Sequence, residues 1–237
     1  MQYLRIILLA AVTLMMAHNA EAGEQDLTVI ELFTSEGCSS CPPADTFVGE
    51  LADRDDILAL SLHVDYWDYI GWKDRFADAR YTKRQRKYAR QFALRYVYTP
   101  QVVVDGSYQS VGSDRREIFD AVGKSKSLKK IPIKLKNSPD GMVLDLASTD
   151  VGPVNVYSIF YDRYQESNVR RGENSGRKLV HANVVRDMTR IATWQGKPVR
   201  LSIPASPNGG DVCAVILQSA STGQIIGAAR LALDGKS

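Results

Sequence analysis

Val29-Ile30-Glu31-Leu32-Phe33-Thr34-Ser35-Glu36-Gly37-Cys38-Ser39-Ser40-Cys41-Pro42-Pro43-Ala44 decides how this chain is read. The apolar run Val29–Phe33 predicts a strand, and the segment from about Pro42 to Leu51 predicts a helix. Between them sits a C-x-x-C pair. The first turn of a helix has unpaired backbone N–H groups and the positive end of the macrodipole. A thiolate at Cys38 placed there is stabilised, which raises its reactivity near neutral pH. Cys41, one helical turn on, is close enough to form a disulfide with it. Pro42 and Pro43 suit a first turn, where their missing N–H would have no intrahelical partner.

A strand that ends in a dithiol at a helix start is the layout of thioredoxin-like redox sites. Two alternatives stand beside it: half of a structural zinc site, and an inert disulfide. Zinc requires about four ligands. Beyond the pair, the chain past Ala22 offers Cys213, His63 and His181, each isolated in sequence. Cys213 lies in the apolar run Val212–Leu217 and reads as a buried free thiol.

Arg5, the apolar stretch Ile6–Met16 and Ala20-Glu21-Ala22 read as a secretory leader, cleaved after Ala22. The stretch is short for a membrane span. Stable membrane insertion after cleavage is therefore not expected, and the protein is expected to be periplasmic or secreted. Such compartments are oxidising, yet the chain carries only three cysteines in 237 residues. It is not a disulfide-stapled scaffold. The net charge of +3 does not argue for nucleic acid.

Downstream, Ile57–Val64 reads as a buried strand and Asp65–Trp72 as an aromatic segment. Lys73 to about Tyr96 reads as a long helix whose run Lys83, Arg84, Arg86, Lys87 and Arg90 faces solvent. Val102–Val104, the turn Asp105-Gly106 and Tyr108–Val111 form a hairpin, and Asp114–Gly123 a closing helix. Past the polar stretch Ser125–Lys130, short strand candidates run to Leu233. The expectation is three segments: leader 1–22, an α/β thioredoxin-like domain with a helical insertion over 23–125, and an all-β sandwich domain over 126–237.

Thr99-Pro100 leads the Val102–Val104 strand, where thioredoxin-like folds set a cis-proline against the dithiol. Glu31 is the only charge in Leu27–Phe33 and is a candidate buried acid for returning a proton to Cys41. The motifs Glu31–Asp45, His63–Asp74, Tyr98–Gln101 and Gly172–Arg177 followed by His181–Val185 resemble a bacterial secreted thioredoxin-like family of unknown function, domain of unknown function 1223. The resemblance spans nearly the whole chain past the leader and supplies no settled reaction.

The expected function is thiol–disulfide exchange on protein or small-thiol substrates, with an unidentified redox partner and no cofactor. Cys38 is the attacking thiol and Cys41 the resolving one. Thr99, Pro100 and Glu31 support them, while Ser39, Ser40, Tyr66 and Trp67 form the substrate rim. Glu173, Asn174, Arg177 and His181 form a polar cluster readable as an interdomain clamp, a plain loop or part of a site. Two rival functions use the same residues. One is a copper(I)-binding protein or metallochaperone using Cys38, Cys41 and His63. The other is a non-enzymatic binding module with a structural disulfide.

Overall fold

The computed structural model describes residues 21–22, 26–206 and 208–233. The expected leader falls on residues 1–22, of which only Glu21 and Ala22 are described. In chain order the strands are β1 (Glu21–Ala22), β2 (Thr28–Thr34), β3 (Ile57–His63), β4 (Gln101–Val104), β5 (Tyr108–Val111), β6 (Lys134–Ser138) and β7 (Gly141–Leu146). They continue with β8 (Val154–Asn168), β9 (Lys178–Trp194), β10 (Val199–Ile203), β11 (Val212–Ser219) and β12 (Ile225–Ala232). The helices are α1 (Pro42–Ala52), α2 (Ala79–Gln91) and α3 (Arg115–Ser125), with a 3₁₀ turn at Asp68–Ile70.

Eight strands form one mixed sheet in the order β12-β11-β8-β9-β3-β2-β4-β5. A smaller sheet, β1-β6-β7-β10, packs beside it. Cleavage after Ala22 would remove β1 and leave β6 as an edge strand of the small sheet. Strands β2 and β3 are parallel, and β4 and β5 continue antiparallel.

This architecture overturns the expected fold class. An α/β thioredoxin-like domain with a helical insertion, followed by an all-β sandwich, is not what forms. The protein is mostly β. The C-terminal strands β8, β9, β11 and β12 extend the sheet begun by β2 and β3, through a parallel bridge between Ser61 and Val184. The physical reason lies in the β8–β9 hairpin, whose arms are 15 and 17 residues long. Register shifts at Val156/Tyr157 and Phe160/Tyr161 let it bend, as bulges do. Its far half then reaches β3.

The helical insertion also contracts. Helix α2 spans 13 residues and starts at Ala79, where the Asp78 side chain accepts from Arg80 N. Residues 64–78 before it carry the 3₁₀ turn, which ends on Gly71 at φ +94°. That left-handed conformation favours glycine.

Side-chain alternation along β2 and β3 sorts the core into two layers. Ile30 and Leu32 of β2, with Ile57 and Ala59 of β3, meet Ala44, Phe47, Val48 and Leu51 of α1. Val29 and Phe33, with Leu58, Leu60 and Leu62, face Tyr81 and Tyr88 of α2 and residues of β8 and β11. Each fully buried side chain of this size contributes about 1.5–3 kcal/mol. The small sheet closes a third cluster around Leu135, Leu144, Phe160 and Trp194.

Candidate functional site: a buried cystine over a histidine–carboxylate cluster

Strand β2 ends at Thr34 and the chain turns through Ser35-Glu36-Gly37 into the C-x-x-C. Cys38 and Cys41 form a disulfide, with their Cα atoms 5.4 Å apart. Cys41 is the N-cap of α1, and Pro42 and Pro43 occupy its first turn. The Ser40 hydroxyl lies 3.4 Å from Cys38 Sγ. Gly37 is where the turn must stay small. A Cβ there would meet Trp67 Cβ at 3.1 Å and Ile70 Cδ1 at 3.3 Å.

Both cysteines are fully buried, whereas an attacking thiol is expected to be the more open of the pair. The β8–β9 connection lies against the dithiol loop. The Asn174 amide, 1 % exposed, donates to Glu36 O and to Cys38 O, both at 2.9 Å. Glu173 Oε2 accepts from Ser39 N at 3.2 Å, and Arg177 donates to Asn174 Oδ1. The polar cluster read from the sequence thus meets the cystine across more than 130 residues of chain.

Beneath the cystine lies a group of titratable residues. His63 is on the β3 face that α1 covers, and its Nδ1 donates to Asp74 Oδ2 at 2.7 Å with both side chains fully buried. Asp74 also accepts from Glu36 N and Phe76 N. Asp45, one turn past Cys41 on α1, accepts from Thr34 Oγ1 at 2.8 Å. His181, at the start of β9, sits between two acids. Its Nε2 is 3.7 Å from Glu36 Oε1 and its Nδ1 is 3.9 Å from Asp45 Oδ2. The His63 and His181 rings are 4.8 Å apart. Trp72 Nε1 donates to Glu36 Oε2 at 2.6 Å.

Burial pushes the His63 imidazole down, but the Asp74 charge and hydrogen bond, with Asp45 and Glu36 beyond, carry it above its ordinary value. Burial pushes Asp45 up, and His181, His63 and Thr34 offset this only in part. Burial also opposes the Asp74 and Glu36 carboxylates, yet their partners hold both below the ordinary range. Both nitrogens of His181, Nε2 of His63 and Oε1 of Glu36 are buried with no hydrogen-bond partner among the described residues. Among the described residues, no group of three or more His, Cys, Asp or Glu is placed to hold a metal ion.

Glu31 lies elsewhere. Its side chain is on the opposite face of β2 from α1, so it does not face Cys41. There it forms a bidentate ion pair with Arg84, Nε to Oε1 at 2.5 Å and Nη2 to Oε2 at 3.0 Å. Tyr88 donates to Glu31 Oε2, and Arg84 also donates to Gln218. Arg84 therefore leaves the solvated run to which the sequence assigns it.

The Thr99–Pro100 peptide bond is cis. Pro100 lies beside α1: a Cβ on Gly112 would meet both Ala44 Cβ and Pro100 Cβ at 2.9 Å. Trp67 Nε1 donates to Thr99 Oγ1 at 2.8 Å, tying the aromatic segment to this loop. The Tyr66 hydroxyl is buried with no hydrogen-bond partner among the described residues, and burial pushes it up to about 12. Ser39 and Ser40 are exposed beside the cystine. Cys213 is free and buried in β11, its thiol pushed up to about 12. A cavity of about 600 Å³ lined by Asp53, Asp55, Arg163 and Arg230 includes none of the cystine residues.

Fold and site together define a mostly β protein with a covered C-x-x-C cystine at a helix start. Residues 29–218 match the family described as protein of unknown function (DUF1223), and the chain belongs to that family. A crystal structure of a protein from Agrobacterium tumefaciens is similar at 33 % identity and a TM-score of 0.78, covering 91 % of this chain and 98 % of that one. HBP35 of Porphyromonas gingivalis matches at 14 % identity and a TM-score of 0.49, over 91 % of this chain and 78 % of that one. No curated protein matches.

Proposed function

We propose that the protein is a thiol–disulfide oxidoreductase, acting outside the cytoplasm on protein or small-thiol substrates through Cys38 and Cys41. The observation that carries this reading is the cystine itself. It sits at the N-terminus of α1, in a chain whose remaining cysteine, Cys213, lies buried in β11. A cystine serving only as a staple would gain little here. It closes a loop of two residues, and loop-closure entropy is small for so short a span.

The chemistry is exchange through a mixed disulfide. Cys38 carries the substrate sulfur and Cys41 is the leaving or resolving group, because Cys41 is fixed in the helix cap while Cys38 stands in the loop. Ser40 is placed to donate to sulfur at Cys38. Access requires Glu173 and Asn174 to release the Glu36–Ser39 backbone. A redox titration of the pair in the folded protein tests the proposal.

A further inference from the structure

The site contains more buried titratable groups than a cystine needs. Glu36, Asp45, His63, Asp74 and His181 are all nearly or fully inaccessible. Burying an ionisable group is costly unless it is paired. Asp74 is satisfied by His63 and two backbone N–H groups. The His181 ring is different: among the described residues neither nitrogen has a hydrogen-bond partner, and each faces a carboxylate just beyond hydrogen-bond distance. Orphaned buried groups of this kind call for a role.

We propose that Asp45, held between the Thr34 hydroxyl and the His181 ring, is the proton store for Cys41. The deciding juxtaposition is on α1. Asp45 N donates to Cys41 O at 3.1 Å, and both side chains are buried. Residues four apart share a helix face, so the carboxyl lies on the Cys41 side of α1. This inference rests on the thiol–disulfide reading and adds a named proton acceptor and donor to it.

A dithiol substrate reduces the cystine in two exchange steps. A substrate thiolate attacks Cys38 Sγ, forming a mixed disulfide. The Cys38–Cys41 bond breaks and its electron pair leaves on Cys41 as thiolate. Asp45, protonated, passes its proton to that thiolate, and the His181 ring faces the resulting carboxylate. The second substrate thiolate then attacks the substrate sulfur of the mixed disulfide, and Cys38 leaves as thiolate. Two electrons pass from the substrate dithiol to the cystine. In the reverse direction Asp45 takes the Cys41 proton before Cys41 attacks.

The charged and titratable groups around Asp45 and His181 come from every neighbouring element. Glu36 comes from the dithiol loop, His63 from β3, and Asp74 from the segment before α2. Arg75 and Arg186 lie over the Phe76 ring, 4.5 and 5.4 Å from its centroid, and that ring packs on both histidines. Glu173 and Arg177 belong to the covering loop.

The test uses full-length protein carrying Cys38→Ser, which frees Cys41 as a thiol without any reduction step. Its ¹³Cβ resonance is followed against pH, with Cys213 as an internal reference. Coupled groups titrate in two steps that belong to the pair. Cys41 is expected to show two inflections in Cys38→Ser and one in Cys38→Ser/Asp45→Asn. Losing the neighbouring negative charge should raise the Cys41 thiolate fraction near neutral pH about tenfold.

Superimposable curves overturn the inference. Should Asp45→Asn not fold, Thr34→Val removes the hydroxyl donor from Asp45. It is expected to move the first inflection to higher pH; an unmoved inflection overturns the inference. Exchange of the unmodified protein with dithiothreitol is measured separately. Exchange with superimposable curves removes Asp45 alone. Coupled curves without exchange remove the oxidoreductase reading and leave the coupling.

Discussion

Arg84→Met tests the assignment of Glu31 to structure rather than to proton transfer. The Glu31 side chain is fully buried and that of Arg84 is 8 % exposed. The change removes the bidentate pair and the Gln218 contact, leaving the Glu31 carboxylate with the Tyr88 hydroxyl alone. Breaking one side of a buried pair costs about 3–5 kcal/mol, because the other charge stays uncompensated. Arg84→Met/Glu31→Leu removes both charges and should recover most of that loss. Equilibrium urea unfolding reads both. At a slope of about 3 kcal/mol/M, the single variant should unfold more than about 1 M earlier. The pH dependence of cystine reduction should be unchanged in both variants, since Glu31 lies on the far face of β2. A cost below about 1 kcal/mol for Arg84→Met, or a changed pH profile, refutes the assignment.

Asn174→Ala removes two hydrogen bonds from the covering loop to the dithiol loop. At about 1 kcal/mol each, opening should become about tenfold or more easier, and dithiothreitol should reduce Cys38–Cys41 correspondingly faster; an unchanged rate shows that the loop does not gate access. The His63–Asp74 pair makes stability depend on pH in a signed way. His63 is raised above its ordinary 6.5, so its contribution is complete below that pH and is lost as pH rises through the folded value. Asp74 is lowered below 3.8, so its contribution is present above that pH and is lost as pH falls through the folded value. Thermal melts should therefore lose stability on the alkaline side in the unmodified protein, and His63→Gln should flatten that limb.

The local elements were legible where the signal is local. The β2–dithiol–α1 unit, the β4–β5 hairpin and α3 follow from apolar runs and turn residues; capping chemistry leaves Ser113 and Asp114 both open for α3, and the structure places the cap at Asp114. The joined sheet was not. Residues 162–166 of β8 alternate poorly because part of the hairpin is exposed, so the sequence shows only short strand candidates and the reach to β3 goes unseen. The Arg84 partner was missed for a related reason. A helix started at Lys73 instead of Ala79 gives no cause to separate Arg84 from its basic neighbours.

The site shows the same division. Cys38, Cys41 and Thr99-Pro100 carry sequence signals of their own. Glu36, Asp45, His63, Asp74 and His181 come from the dithiol loop, α1, β3, the loop before α2, and β9, and no spacing rule links them. The one local hint was Asp45, four residues after Cys41 and hence on its helix face. Glu31 was the more conspicuous acid because it interrupts an apolar strand. Alternation along β2 places it with Val29 and Phe33, away from α1.

The decisive measurement for the oxidoreductase reading is the redox equilibrium of Cys38–Cys41 in the folded protein. The oxidised protein is equilibrated with graded ratios of reduced and oxidised dithiothreitol or glutathione, and the thiols are quantified by mass after acid quench and alkylation. A thiol–disulfide oxidoreductase is expected to show a reversible two-electron transition with a midpoint in the range of exchange catalysts, about −120 to −270 mV, with Cys213 unchanged throughout. A pair that stays oxidised down to about −300 mV, as structural disulfides do, would contradict that reading.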